Sequence, residues 1–267
     1  MVTTFEMALK ESQMAENTIT AYLYAVNDFY SRHKVLNKNN LLLYKTYLIE
    51  HFKPKTVNLR IQALNKFLEH IGKPKLRLKS VKVQQRMYLE NVISQADYLF
   101  LKEQLRKEEN PMWYFVVRFL AATGARVSEL IQIKVEHVRI GYLDLYTKGG
   151  KVRRLFIPLQ LREEAIKWLT KEQKTSGYLF LNCLGERITT RGIAQKLKLF
   201  AGKYGISAKV VYPHSFRHRY AKNFLEAFND ISLLADLMGH ESIETTRIYL
   251  RRTASEQQAI IDKIITW

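Results

Sequence analysis

Residues 142–159 read YLDLYTKGGKVRRLFIPL and differ from the rest of the chain. The segments LDLYT and RRLFIPL flank KGGK, and the pair Gly149–Gly150 suits the tight turn of a β-hairpin. Elsewhere apolar residues recur at helical spacing, as in residues 56–71. We therefore predict a mainly α-helical protein with one small antiparallel β-sheet.

Capping residues indicate where several helices begin. Asn17 and Asn40 each precede an amphipathic stretch, and Ser94 followed by Asp97 resembles a capping box that opens a helix to about residue 107. Pro54 is expected to interrupt the pattern before the next helix begins at residue 56.

Net charge indicates the kind of partner. The 267 residues include 43 Lys and Arg against 25 Asp and Glu, a formal charge of +18, and 47% are hydrophobic, enough for a packed core. A surplus of this size suits a polyanion, for which nucleic acid is the leading interpretation. An anionic membrane surface and an ordinary basic enzyme are the alternatives.

Cysteine content and hydropathy exclude several classes of protein. The single cysteine, Cys183, excludes an intramolecular disulfide and a Cys-rich zinc site. No run of 18 apolar residues and no signal peptide is apparent, so we expect a cytoplasmic protein with no membrane partner.

Residues 73–86, KPKLRLKSVKVQQR, form a basic stretch with six cations and no acid. In an extended conformation Lys73, Lys75, Arg77 and Lys79 would lie on one side, ready to contact DNA. The alternative is a solvated tether. The predicted domains are a helical domain over 1–80, a basic linker over 81–90 and a second domain over 91–267.

Phosphate-binding candidates occur at turns and helix starts. Arg126 follows a Thr-Gly-Ala turn and opens a helix, with Glu129 one turn later. A helix N-terminus attracts anions, and the arginine fork suits phosphate oxygens. A surface ion pair with Glu129 is the alternative. Lys148 at the hairpin tip is a further candidate, with Lys151 as its competitor.

Histidines, an arginine and a tyrosine follow in the last third of the chain. His214 and Arg217, three residues apart, would share one helix face and suit phosphoryl transfer. His240 and Tyr249 are less distinctive, since they could be a loop histidine and a core aromatic. No metal-ligand spacing and no phosphate-binding glycine loop appears, so we expect no metal, no ATP and no other cofactor.

Four motifs together resemble the tyrosine recombinase (phage integrase) family, which includes the Xer recombinases. In chain order they are ATGARVSEL, TKGGKVRRLFIPL, HSFRH and LMGHESIETTRIY. NTITAYLYAVNDF and KTVNLRIQALNKFL are similar to the family's helical core-binding domain. The resemblance implies a SAM-like core-binding domain followed by a catalytic domain, closing as a clamp around a DNA duplex.

The resemblance also implies a role for each matching residue. Tyr249 attacks the scissile phosphate and forms a 3′-phosphotyrosyl link, Arg126 and Arg217 hold its non-bridging oxygens, and Glu129 orients Arg126.

The remaining roles concern protons and hydrogen bonds to the phosphate. Lys148 protonates the departing 5′ oxygen, His214 assists proton transfer with the tyrosine, and His240 donates a hydrogen bond to the phosphate.

Recombination in this family implies a tetramer, of one chain or of paired recombinases, on double-stranded DNA. Apolar residues at the C-terminus are expected to line a helix that docks on a neighbouring subunit; the alternative is docking on its own domain. They are Ile260, Ile261, Ile264, Ile265 and Trp267. Two alternatives remain open for the function: a type IB-like topoisomerase and a catalytically silent DNA-binding protein.

Overall fold

A computed structural model describes residues 2–83, 91–146, 152–240, 242–250 and 261–265. The chain divides into two compact units, Met1–Gln85 and Arg86–Trp267, which we call the N-terminal and C-terminal units. In the described part of the chain, no helix has the length and apolar content needed to cross a membrane.

The N-terminal unit is built from four helices that enclose one apolar core. They are α1 (Val2–Glu11), α2 (Glu16–Arg32), α3 (Lys38–His51) and α4 (Pro54–His70). Asn17 does not cap α2, which begins after Ala15, and the cap of α3 is Asn37, whose side chain accepts from the Asn40 amide at 2.8 Å. Pro54 is the first residue of α4, a position where its missing N–H costs nothing.

The basic stretch is neither a free tether nor a continuous strand where it is described. Residues Pro74–Leu76 form a 3₁₀ turn, which interrupts the expected alternation of charges. Beyond it, Asn65 of α4 exchanges two hydrogen bonds with the backbone of Leu78, and Asn58 exchanges two with Val81, all at 2.8–2.9 Å. The stretch over 73–83 therefore lies along α4.

Nine helices of the C-terminal unit lie between residues 95 and 247, and residues 261–264 are also helical. The nine helices are α5 (Gln95–Lys107), α6 (Pro111–Thr123), α7 (Val127–Leu130), α8 (Val135–Ile140), α9 (Leu159–Lys171), α10 (Thr190–Lys203), α11 (Pro213–Ala227), α12 (Ile231–Met238) and α13 (Ile243–Arg247). Ser94 caps α5 as predicted, accepting from the Asp97 amide at 2.9 Å. Tyr249 lies in a 3₁₀ turn, Ile248–Leu250, directly after α13.

The sheet consists of β1 (Tyr142–Tyr146) and β2 (Val152–Phe156), paired antiparallel with Asp144 opposite Arg154. Its inner face carries Leu143 and Leu145 of β1 with Arg153 and Leu155 of β2, and the leucines belong to the unit's main core. The predicted turn at 147–151 lies outside the described residues. The predicted fold class, mainly α with a small antiparallel sheet, is confirmed.

Candidate active site

The site is built around the C-terminus of α12. Gly239 follows this helix with a φ of +61°, a left-handed conformation that only glycine adopts without strain. Its amide donates to the carbonyl of Asp236, and the amide of His240 donates to that of Ala235, both at 3.0 Å. This Schellman arrangement leaves the next three carbonyls of the chain without a helical partner.

Three arginines from different elements bind those three consecutive carbonyls. Arg153 Nε of β2 donates to Leu237 O at 2.7 Å, and Arg217 Nη2 of α11 donates to Met238 O at 2.6 Å. Arg126, the residue before α7, donates through Nη2 to Gly239 O at 3.1 Å. Because a helix C-terminus carries partial negative charge, it gathers guanidinium groups that would otherwise repel one another.

Glu129 links two of these arginines. Its Oε2 accepts from the Arg126 amide at 2.7 Å, and its Oε1 accepts from Nη1 of Arg126 and Nη1 of Arg153, each at 2.7 Å. Burial opposes ionisation, but the charge of Arg153 and the bonds from Arg126 prevail and lower the pKa of Glu129. Three guanidiniums and one carboxylate leave this cluster with a net charge of +2.

The three arginines differ in access to solvent. Arg217 and Arg153 are buried, whereas the side chain of Arg126 is 37% exposed. Nη1 of Arg217 donates to the carbonyl of Gly124. Burial, and then repulsion by Arg126 and Arg153, lower the pKa of Arg217 to about 10, so it remains cationic at neutral pH. The cluster thus presents Arg126 outward above two fixed cations.

His240 joins the cluster through Arg217. Its Nε2 lies 3.3 Å from Arg217 Nη2, and its Nδ1 lies 2.7 Å from Thr246 Oγ1. Because a guanidinium only donates, Nε2 accepts and the ring proton resides on Nδ1. Burial and the nearby Arg217 and Arg126 lower the pKa of His240 to about 4, which keeps the ring neutral at physiological pH.

Tyr249 is buried, only 8% exposed, among apolar residues of α11 and α12. Its Oη lies 2.9 Å from Nδ1 of His218, one helical turn beyond His214 on α11. Burial raises the pKa of Tyr249 to about 12, although Arg217 and Arg126 act in the opposite direction. The phenol is therefore protonated at neutral pH.

The structure brings together most of the predicted site residues. Arg126 is hydrogen-bonded to Glu129 and Arg217 to His240, and the two pairs meet at the adjacent carbonyls of Gly239 and Met238. Tyr249 packs in one apolar cluster with Met238. The individual roles stay predictions.

The other predicted residues lie apart or at the edge of the cluster. His214 is on α11 as expected, its ring centroid 5.2 Å from that of His218, and burial with Arg217 and Arg126 lowers its pKa. Lys148 and its competitor Lys151 lie outside the described residues. Lys73, Lys75, Arg77 and Lys79 are exposed in the N-terminal unit, and Arg77 pairs with Glu69 at 3.0 Å.

Two site residues were absent from the sequence prediction, namely Arg153 and His218. The alternation of β2 places Arg153 on the same face as Leu155, which is the signal for a buried arginine. His218 follows His214 by four residues, so both lie on one face of a helix. Within the described residues, no group of three His, Cys, Asp or Glu side chains could hold a metal ion.

Comparison with known proteins identifies one family. Residues 91–256 match the phage integrase family. The chain is 28% identical to tyrosine recombinase XerA of Pyrococcus furiosus, over 97% of this chain and 92% of that protein. It is 29% identical to tyrosine recombinase XerD of Listeria innocua, over 91% of this chain and 90% of that protein.

Solved structures agree in fold. The Tn1549 transposon integrase in complex with transposon right end DNA superimposes with a TM-score of 0.75 at 13% identity, covering 98% of each chain. The XerH site-specific recombinase bound to its difH substrate gives 0.71 at 17% identity, covering 100% of this chain and 85% of that one. At such identities the likeness establishes the fold alone.

Proposed function

Since this chain belongs to the phage integrase family, the tyrosine recombinases, we propose that it cuts and rejoins double-stranded DNA at specific sites through a covalent 3′-phosphotyrosine. One observation carries the assignment of the site. Arg126 and Arg217 bind adjacent carbonyls, Gly239 O and Met238 O, so their guanidiniums can share one anion. Tyr249 is a buried phenol that packs in one cluster with Met238, whose carbonyl Arg217 binds.

The scissile phosphate takes the place of solvent next to Arg126. Its non-bridging oxygens accept from Arg126 and Arg217, and the net charge of the cluster stabilises the extra negative charge of the transition state. Glu129 and the three carbonyls hold the guanidiniums before DNA arrives, so little reorganisation is needed during the reaction.

Cleavage is an in-line displacement at phosphorus. The bond from Tyr249 Oη to phosphorus forms, the bond to the 5′ oxygen breaks, the phenol loses its proton, and the 5′ oxygen gains one from Lys148 in the proposed role. Reversal by another 5′ hydroxyl reseals the strand, because the phosphotyrosine ester conserves the bond.

His240 can donate to the phosphate only after its Nε2 has gained a proton. In the structure its Nε2 accepts from Arg217, whereas donation to phosphate requires a proton on that nitrogen. A bound phosphate attracts the Arg217 donors and favours the charged imidazole. We therefore propose that phosphate binding switches Nε2 of His240 from acceptor to donor, while Thr246 keeps the ring in place through Nδ1.

DNA contact outside the site is assigned to the basic stretch. Asn58 and Asn65 hold its backbone along α4, and Lys73, Lys75 and Lys79 are exposed. The charge of +18 and the DNA bound in similar solved structures support double-stranded DNA as the partner. Such phosphate contacts fix orientation without reading sequence.

Assembly on DNA completes the proposal. Ile261, Ile264 and Ile265 of the C-terminal segment are all more than 40% exposed. Exposed isoleucines so close together favour contact with a partner surface. We propose that this segment docks on a neighbouring subunit within a homotetramer, or a tetramer of paired recombinases, formed on two DNA sites.

The test is covalent trapping. Wild-type protein is incubated with sheared genomic DNA of its source organism, and the fragments that stay attached after denaturation are sequenced. A duplex of the recovered sequence then serves as substrate. It carries a nick a few nucleotides from the cleavage site, so the short fragment with the new 5′ hydroxyl diffuses away and cannot reverse the reaction.

Tyr249→Phe should bind this duplex and form no adduct. Tyr212→Phe is the matched control, because Tyr212 is a partly buried phenol near Tyr249 and its removal should leave the adduct intact. An adduct in Tyr249→Phe would place the nucleophile elsewhere. No wild-type adduct would indicate a silent DNA-binding protein, and relaxation of supercoiled plasmids without the target would indicate a topoisomerase.

A further inference from the structure

His218 contacts the phenol of Tyr249, and the reaction proposed above assigns it no role. Nδ1 of His218 lies 2.9 Å from Tyr249 Oη, and the ring centroids are 5.6 Å apart. This is hydrogen-bonding distance to the atom that must lose a proton before or while it attacks phosphorus.

The other basic groups of the site are placed less well for that proton. Nε2 of His240 is occupied by Arg217, and its Nδ1 by Thr246. Within the described residues, His214 has no side-chain hydrogen bond to Tyr249, and His218 lies between the two, with ring centroids 5.2 and 5.6 Å away.

We propose that His218 is a further catalytic residue, which accepts the phenolic proton of Tyr249 through Nδ1 during strand cleavage; this rests on Tyr249 being the nucleophile. The neutral ring carries its proton on Nε2, so Nδ1 is free to accept. As the oxygen–phosphorus bond forms and the bond to the 5′ oxygen breaks, His218 becomes an imidazolium. In resealing, it returns the proton to the departing phenol.

The electrostatics of the site are consistent with this role. Burial, then His214 and Arg217, lower the pKa of His218 to about 4, so the ring is neutral at physiological pH and able to accept. A phosphate bound at Arg126 and Arg217 offsets those positive charges and stabilises the imidazolium. Proton acceptance is thereby favoured when the substrate is present.

The experiment separates the nucleophile from the leaving group. The nicked duplex is prepared in two forms, one normal and one with sulfur replacing the bridging 5′ oxygen. A thiol has a pKa of about 8.5, so its thiolate departs without a proton. Groups that act on the leaving group become dispensable on the sulfur substrate, whereas groups that activate Tyr249 do not.

Two substitutions are compared on both substrates. His218→Gln keeps a polar side chain that can hydrogen-bond the phenol but cannot take its proton, and His218→Phe keeps only the ring. We expect both to slow cleavage by roughly 100-fold or more, the usual size of general base catalysis, on the oxygen and the sulfur substrate alike. Lys148→Ala should be slow on the oxygen substrate and recover on the sulfur one.

Controls keep each failure distinguishable. His137→Gln is the matched change at a histidine whose Nδ1 accepts from the Lys134 amide away from the site, and it should cleave normally. Tyr249→Phe should give no adduct on either substrate; if it does, the proposed function fails rather than this inference. Thermal melting and DNA binding confirm that the His218 variants are folded.

The inference is overturned by any of three results. Cleavage by His218→Gln at the wild-type rate would show that His218 does not need to accept the proton. Fast cleavage by His218→Gln together with slow cleavage by His218→Phe would show that His218 only positions the phenol. Recovery of both variants on the sulfur substrate would place His218 on the leaving-group side.

Discussion

Arg153 connects β2 to Glu129 and to the end of α12. The substitution Arg153→Met tests whether this connection contributes to stability and to DNA cleavage. Arg153 is 6% exposed and donates to the Glu129 carboxylate and the Leu237 carbonyl. A hydrogen bond to a charged group contributes about 1.5–3 kcal/mol and one to a neutral carbonyl about 1 kcal/mol.

The buried guanidinium also carries a cost that methionine removes. Nη2 of Arg153 is buried and has no partner among the described residues. Relief of this cost offsets part of the loss, so we expect a net destabilisation of about 2 kcal/mol. For a unit of this size, that lowers the Tm by roughly 4–8 °C.

Catalysis should suffer more than stability. Without Arg153, Glu129 Oε1 keeps only Arg126, and β2 loses its bond to the end of α12. Arg153 connects β2 to Glu129 and, through it, to Arg126. Lys148 lies between β1 and β2 in the sequence, so loss of Arg153 affects both Arg126 and the strands next to Lys148. A displacement of about 1 Å can cost about 100-fold in rate, and we expect cleavage to fall by about 10- to 100-fold with DNA affinity little changed.

The neighbouring residue provides the control. Arg154 lies on the outer face of the same strand and pairs with half-buried Asp144 at 2.7 Å, a solvent-accessible ion pair of little energy, so Arg154→Met should leave both Tm and cleavage rate unchanged. Arg153→Lys retains the charge and should recover part of the rate. Single-turnover cleavage of the nicked duplex is measured well below each Tm. Wild-type cleavage by folded Arg153→Met, or an equal defect in Arg154→Met, would refute the coupling.

Two further predictions concern assembly and pH. Deleting residues 256–267 should reduce recombination between two sites more than single-strand cleavage, because it removes the exposed isoleucines proposed to dock on a neighbour; unchanged recombination would mean that the segment packs on its own subunit. Burial lowers the pKa of His218 and of His240 to about 4, below the ordinary value of about 6.5. The unfolded chain therefore binds these protons first as pH falls, so the stabilisation is complete above about pH 6.5 and is lost progressively towards about pH 4. Thermal melts across this range should show a shallower decline in His218→Gln than in wild type, and identical curves would argue against a neutral buried His218.

Local patterns were sufficient for much of the fold. The segments on either side of KGGK predicted both strands. An aspartate cap before α12 and a glycine after it set the bounds of that helix. The prediction of a helix start was wrong where two possible capping residues lie close together. Asn37, and not Asn40, caps the first turn of α3. The extended conformation predicted for the basic stretch was wrong because its path depends on contacts distant in sequence. Nothing in residues 73–83 indicates that Asn58 and Asn65 bind its backbone.

The site was predictable to a different degree for each residue. Arg126, Glu129, Arg217 and His240 belong to short motifs whose order carries the information. Arg153 and His218 belong to the same motifs but differ from ordinary polar residues only after folding. Arg153 becomes part of the site because the C-terminus of α12 meets β2, and Gly239 permits the approach: a Cβ there would lie 2.4 Å from Arg153 Cδ.

The choice of carbonyls as anchors has a consequence for anion binding. If each arginine were paired with its own carboxylate, a phosphate would have to displace three ion pairs and would meet a neutral site. Neutral carbonyls at a helix C-terminus instead fix the direction of each guanidinium while leaving most of its charge uncompensated. Among the described residues, Glu129 is the carboxylate bonded to these arginines, and it binds both Arg126 and Arg153, so it fixes two cations for one negative charge. Rigid orientation and net positive charge thus coexist, which is what stabilisation of a phosphoryl transition state requires.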